Sequence, residues 1–115
     1  HYETPAGEHL ADLIYTQNWA TLGLYHAAKV FKSVPFREGF ERSAEFLTRI
    51  QDRSPEPHLD GAWRGLYDTR AGAWGGGDHY EGGQGSLYSG WTNAPITLAL
   101  LLDLRNASLF ASESP

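Results

Sequence analysis

The sequence predicts an all-α chain of layered α/α helical hairpins. Three observations lead there: apolar residues recur at helical spacing in three separate stretches, two of those stretches are apolar around most of their circumference, and the remaining one carries a charged face. A helix wetted along one side suits the outside of a layered arrangement, whereas one that is apolar nearly all round needs cover on most sides.

The first stretch is expected to be helical from about residue 8 to 32. Leu10, Leu13 and Ile14, then Leu24, Ala28 and Phe31, fall on one side, and Tyr15, Trp19, Leu22 and Val30 on another. Only a narrow polar strip around Asp12, Thr16 and Lys29 is left, so this reads as an interior helix. His26, between Leu22 and Val30, reads as a hydrogen-bonded core histidine rather than a catalyst.

Ser33 then offers an N-cap and Pro35 fits a first turn, where a missing amide proton costs nothing. The helix they open, about 36–52, places Phe36, Phe40, Ala44, Leu47 and Ile50 in one stripe. Arg37, Glu38, Glu41, Arg42, Glu45 and Arg49 lie opposite, several of them paired four apart, as befits an exterior helix. Ser54-Pro55-Glu56-Pro57 ends it, since each proline pushes its predecessor out of the helical region. A third helix, about 93–105, is expected to start at Thr92 or Asn93 with Pro95 in its first turn, and Ile96 to Leu104 are apolar almost all round. The order is interior, exterior, interior.

Residues 53–92 form a long connection, and Gly61 to Gly90 hold ten of the thirteen glycines together with Trp63 and Trp74. Loops of that length inside a domain tend to be functional. Gly61-Ala62-Trp63 recurs as Gly72-Ala73-Trp74, and Asp68 to Gly72 has turn chemistry between two aromatic-bearing arms, which predicts a short β-hairpin.

Composition removes several function classes. A net charge of −5 with scattered Lys and Arg gives no basic track for nucleic acid. The longest apolar run, Leu98 to Leu102, is far short of the roughly twenty residues of a membrane helix, so the expectation is a soluble chain, cytoplasmic or secreted/periplasmic. Without cysteine there is no disulfide, thiolate metal site or cysteine nucleophile. The 115 residues are read as one segment of a larger helical domain, to be covered by the remainder of the same protein or by self-association.

Two phrases carry a family resemblance: Asp60-Gly61-Ala62-Trp63-Arg64-Gly65-Leu66-Tyr67-Asp68, and Gly85-Ser86-Leu87-Tyr88-Ser89-Gly90-Trp91-Thr92-Asn93-Ala94-Pro95 running into an apolar helix. They resemble the Gly-x-Trp turns and Gly-Trp-initiated inner helices of six-hairpin glycosidases, the (α/α)6-toroid superfamily of glycoside hydrolases and some polysaccharide lyases. The resemblance implies about one and a half hairpins of such a toroid, with the substrate cleft on the side of the long loop and a saccharide as substrate. The short connection Lys32 to Pro35 would lie opposite.

The loop's side chains fit that expectation on their own chemistry. Sugar rings have apolar faces ringed by hydroxyls, so they call for flat aromatics beside carboxylates and amides. Asp78-His79-Tyr80-Glu81 places two acids three apart on a glycine-flanked segment, making Asp78 and Glu81 the candidate catalytic pair for glycosidic cleavage. Trp74, His79, Tyr80, Gln84 and Tyr88 are the candidate substrate-binding residues. Trp63 and Trp91 are expected to plug gaps between helix ends, and Asp68 to cap its own turn. No metal-ligand spacing or phosphate-binding motif appears, so neither metal nor cofactor is expected. The alternatives are a non-catalytic carbohydrate-binding or assembly module, and a polysaccharide lyase using Tyr80 or His79 as base.

Overall fold

The computed structural model describes residues 2–3, 7, 9–75 and 90–110. It holds β1 (Tyr2–Glu3), β2 (His9–Asp12), α1 (Gln17–Phe31), α2 (Val34–Ile50), β3 (Leu66–Asp68), β4 (Ala73–Trp74) and α3 (Gly90–Leu104). The chain is thus mostly helical, with a small sheet that the all-α expectation did not contain beyond one hairpin.

The first helix begins at Gln17 rather than near residue 8. Leu10, Leu13 and Ile14 are buried as expected, but from a strand and the turn behind it. Asp12 makes the difference. Its Oδ1 accepts from the Ile14 and Tyr15 amides and its Oδ2 from the Thr16 hydroxyl, and this side-chain turn offers the backbone an alternative to a helical ladder. Residues spaced three and four apart satisfy a strand-plus-turn as well as a helix, so periodicity alone misassigned them.

α2 matches its expectation closely. Ser33 Oγ accepts from the Phe36 amide at 3.3 Å, Pro35 sits in the first turn, and Phe40, Leu47 and Ile50 are buried while the charged face is exposed. α1 packs against both other helices. Near their middle, Tyr25 of α1, Phe40 of α2 and Ala99 and Leu102 of α3 share one cluster. Nearer the sheet, Ala11, Leu13, Leu47, Ile50, Trp63 and Ile96 form another. Polar groups between α1 and α2 are satisfied: Thr21 Oγ1 donates to or accepts from Ser43 Oγ at 2.6 Å, and Gln17 Nε2 donates to the same Ser43 oxygen.

α3 starts at Gly90, before either expected cap. Pro95 therefore lies inside the helix, where its missing amide proton deprives the Trp91 carbonyl of a helical donor. The buried Asn18 of α1 makes good the loss: its Nδ2 donates to Trp91 O and to Ile14 O. Asn93 does not cap the helix because its amide is used elsewhere. Its Oδ1 accepts from the Trp63 amide at 2.8 Å and its Nδ2 donates to the Trp63 carbonyl at 2.9 Å.

Among the described residues four strands lie in the order β1-β2-β3-β4, antiparallel throughout, and pair Tyr2 with Leu10, Leu10 with Asp68, and Tyr67 with Trp74. The predicted hairpin is β3–β4, closed by Gly72 N–H donating to Asp68 O at 2.8 Å, with Gly72 at φ +68 where a side chain would be strained. The sheet, the end of α2 and the start of α3 gather at one end of the helices. The connection from Phe31 to Val34 and the end of α3 lie at the other.

Both apolar helices keep an open flank. Trp19, Val30 and Phe31 of α1 and Trp91, Leu101 and Leu104 of α3 are exposed, Leu104 by 82%. The expectation that Trp91 plugs a gap is therefore corrected: its side chain is 73% exposed, and only its carbonyl is used internally. Trp63 is the plug.

Replacing Asn93 by Ala removes both bonds to the Trp63 backbone and leaves partly buried groups unpaired. The expected loss is about 2 kcal/mol in urea unfolding, with the α-helical circular dichroism of the folded state retained.

Candidate functional site

The cap that covers the sheet end of the helices is built around Trp63. Its indole is 3% exposed, its Nε1 donates to the Leu47 carbonyl at 2.7 Å, and Asn93 clamps its backbone, so the loop is fixed to α2 and α3 at a single residue. The preceding turn is tied as firmly. Asp52 and Gly61 are joined through Gly61 N–H to Asp52 O at 2.8 Å, Gln51 Nε2 donates to Gly61 O, and Arg64 Nε meets Asp52 Oδ2 at 2.9 Å.

From that anchor an aromatic ladder runs outward. The Phe46 ring meets Tyr67 edge-on at 5.8 Å, and Tyr67 meets Trp74 edge-on at 5.1 Å, geometries that aromatic quadrupoles favour. Strand pairing sets the last step, since Tyr67 and Trp74 are cross-strand partners. Trp74 is half-buried, one part packed on the core and the rest open to solvent. Of the candidate substrate-binding residues it is the one within the described structure. Immediately beyond it the Gly75 amide donates to Leu66 O at 3.0 Å, with Gly75 at φ +128. Asp78, His79, Tyr80, Glu81, Gln84 and Tyr88 lie outside the described residues, in the segment that runs from this point to Gly90.

The outer sheet carries an acid–imidazole group that the sequence did not single out. β1 and β2 pair Glu3 with His9, whose Nε2 stands 4.0 Å from Glu3 Oε1. Asp68 lies one register step along β3 from His9, and Thr69 binds the His9 carbonyl through both its amide and its hydroxyl. The signal in the sequence was weak, because the three residues are brought together by strand pairing across more than fifty positions. Among the described residues no group of three His, Asp or Glu side chains is arranged to hold a metal ion.

Asp68 has the turn role expected of it. Its Oδ1 accepts from the amides of Ala71 and Arg70 at 3.0 and 2.9 Å. These backbone donors, the Ala71 amide foremost, hold its carboxyl below the ordinary value of 3.8, assisted by charge on His9. His26 is likewise a satisfied core residue. Its Nδ1 bonds the Leu22 carbonyl at 3.1 Å and its Nε2 accepts the Leu109 amide at 3.3 Å, while its ring packs edge-on against Tyr25 and Phe110.

Comparison with known protein families, curated proteins and solved structures finds no match. No described helix is long and apolar enough to cross a membrane.

A depressed folded-state pKa means that Asp68 stabilises the fold above its unfolded pKa and that this contribution disappears as pH falls through the folded value. Asp68→Ala should lower the thermal midpoint at pH 7, and the gap between variant and parent should narrow as pH is taken well below 3.8. An undiminished gap at pH 2 would place the effect of Asp68 in something other than its ionised turn cap.

Proposed function

We propose that this chain forms about one and a half hairpins of an (α/α)6-type toroid and belongs to a carbohydrate-processing enzyme, a glycoside hydrolase acting on an oligo- or polysaccharide. The observation that supports this most is the Phe46–Tyr67–Trp74 ladder, which ends in a half-open indole where the chain departs toward Asp78 and Glu81. A flat, partly solvated aromatic held rigid by its neighbours suits the apolar face of a sugar ring, and its pre-organisation limits the entropy lost on binding.

In this reading Trp74 is the platform, joined by His79, Tyr80, Gln84 and Tyr88 as further contacts to substrate. Asp78 and Glu81 divide the acid/base work. One protonates the leaving glycosidic oxygen while the other acts as nucleophile or activates water. The open flanks of α1 and α3 fit the same proposal, since neighbouring hairpins of a toroid would cover them.

Asp78→Asn and Glu81→Gln, made separately in the intact protein, should each lower turnover on a susceptible oligosaccharide by about 100-fold or more, while Trp74→Ala should act chiefly on KM. Full turnover in both acid variants would remove them from the mechanism. Glycan binding without cleavage by the parent protein would favour a binding module, and an unsaturated product would favour a lyase.

The 115-residue chain alone should self-associate with rising concentration in sedimentation, and Leu101→Glu combined with Leu104→Lys should shift it toward monomer. A strictly monomeric parent chain would count against the toroid.

A further inference from the structure

At the end of the helices remote from the sheet, the α1–α2 elbow borders an open cavity of about 330 Å³, at the lower end of the range for small-ligand pockets. Its apolar lining comes from Tyr25, Ala28 and Val34, and Lys29, Lys32 and Arg37 line it as well. That concentration of positive charge occurs in a chain whose net charge is −5.

The remaining hydrogen-bonding capacity of the lining consists chiefly of donors. Lys29 gives two of its three protons to Asn106, at the carbonyl (3.0 Å) and Oδ1 (2.7 Å). Arg37 uses Nε on Glu41 and Nη1 on Asp103, at 2.8 and 2.7 Å, which leaves Nη2. Ser33 Oγ accepts from the Phe36 amide and keeps its hydroxyl proton to give. Lys32 makes no side-chain hydrogen bond or ion pair among the described residues. Glu41 and Asp103 both pair with Arg37, and among the described residues neither forms an ion pair with Lys29 or Lys32; the N-terminus of α2 adds its partial positive charge at the same place.

The backbone makes the choice of lysine more telling. α1 ends in a left-handed residue whose successor's amide, Ser33 N–H, reaches back to Ala28 O at 3.2 Å, a closure that favours glycine. Here Lys32 occupies it at φ 50. A charged side chain thus stands at a position where a residue without one would fit with less strain, and it borders the cavity.

We propose that this elbow cavity is a binding site for a small organic acid, its carboxylate or phosphate head held by Lys32, Lys29, Arg37 Nη2 and the Ser33 hydroxyl, its apolar body lying on Tyr25, Ala28 and Val34. The site is independent of the saccharide cleft, because it sits at the opposite end of α1.

Nuclear magnetic resonance titration of the 115-residue chain with phenyl phosphate, benzoate and uncharged benzyl alcohol tests the inference. Phenyl phosphate or benzoate should shift the Lys32, Ser33 and Val34 amides saturably, and at least tenfold more tightly than benzyl alcohol; which of the two binds better identifies the head group. Lys32→Asn removes the charge but tolerates the left-handed backbone, so it should fold with an unreduced thermal midpoint and bind the better acid at least tenfold more weakly. Equal affinity for benzyl alcohol, shifts elsewhere, no saturable shift, or undiminished binding by Lys32→Asn would each overturn the proposal.

Discussion

Two asparagine side chains decide where the rest of the molecule can go. Pro95 interrupts the hydrogen-bond ladder of α3 and leaves the Trp91 carbonyl without a helical partner. Asn18 of α1 supplies one, and while doing so holds the turn before its own helix through Ile14 O. Asn93, two residues before the proline, uses both ends of its amide on the Trp63 backbone. Through these side chains the start of α3 is locked to α1 on one side and to the cap on the other. Unpaired amides in such surroundings would cost more than their bonds return, so neither contact can be given up separately.

That constraint explains the cap. Because Trp63 is pinned, the indole can fill the space between Leu47, Ile50 and Ile96, and its ring nitrogen finds the Leu47 carbonyl instead of being buried unsatisfied. The hairpin that follows inherits a fixed origin. Strand pairing then carries the position outward to Tyr67 and Trp74, and the N-terminal strands close the sheet by placing Leu10 opposite Asp68. A rigid platform at the rim of a cap is what a binding site needs, and the rigidity is derived from hydrogen bonds made several residues behind it.

How much of this could be read in the sequence depended on whether the deciding interaction was local. α2 was legible to its cap and first-turn proline because Ser33, Pro35 and the four-apart charges act within a turn or two of themselves. The β3–β4 hairpin was legible for the same reason, since Asp68 and Gly72 make the turn unaided. The start of α3 was not, because the partner that allows Pro95 to sit inside the helix is Asn18, which lies in another element. Nor was β2, whose buried Leu10 stands at helical spacing from Leu13 and Ile14 although Asp12 turns the chain between them. In the candidate site, Trp74 could be anticipated as an aromatic between glycines, whereas its support by Tyr67 and Phe46 arises only from register and packing.

The two ends of the helices differ in chemistry, and the difference follows from how each is closed. At the sheet end, chain that arrives from β2, α2 and β4 brings carboxylates, an imidazole and broad aromatic faces to one surface. At the elbow end the chain must reverse within a few residues, so helix termini dominate: α1 and α3 both finish in left-handed residues, Lys32 and Asn106, and α2 begins between them. Terminal carbonyls and a helix start attract donors and anions respectively, which is why lysines suit this place even in an acidic chain. Along the sides, meanwhile, α2 satisfies water with its charged face, but α3 has no polar face to offer. Among the described residues α3 packs against α1 and against Phe40 of α2, and a helix with so little polar surface leaves an apolar flank, on which Leu101 and Leu104 lie. The apolar flank therefore comes from the composition of α3 itself, and it is there whether or not the cap binds a sugar.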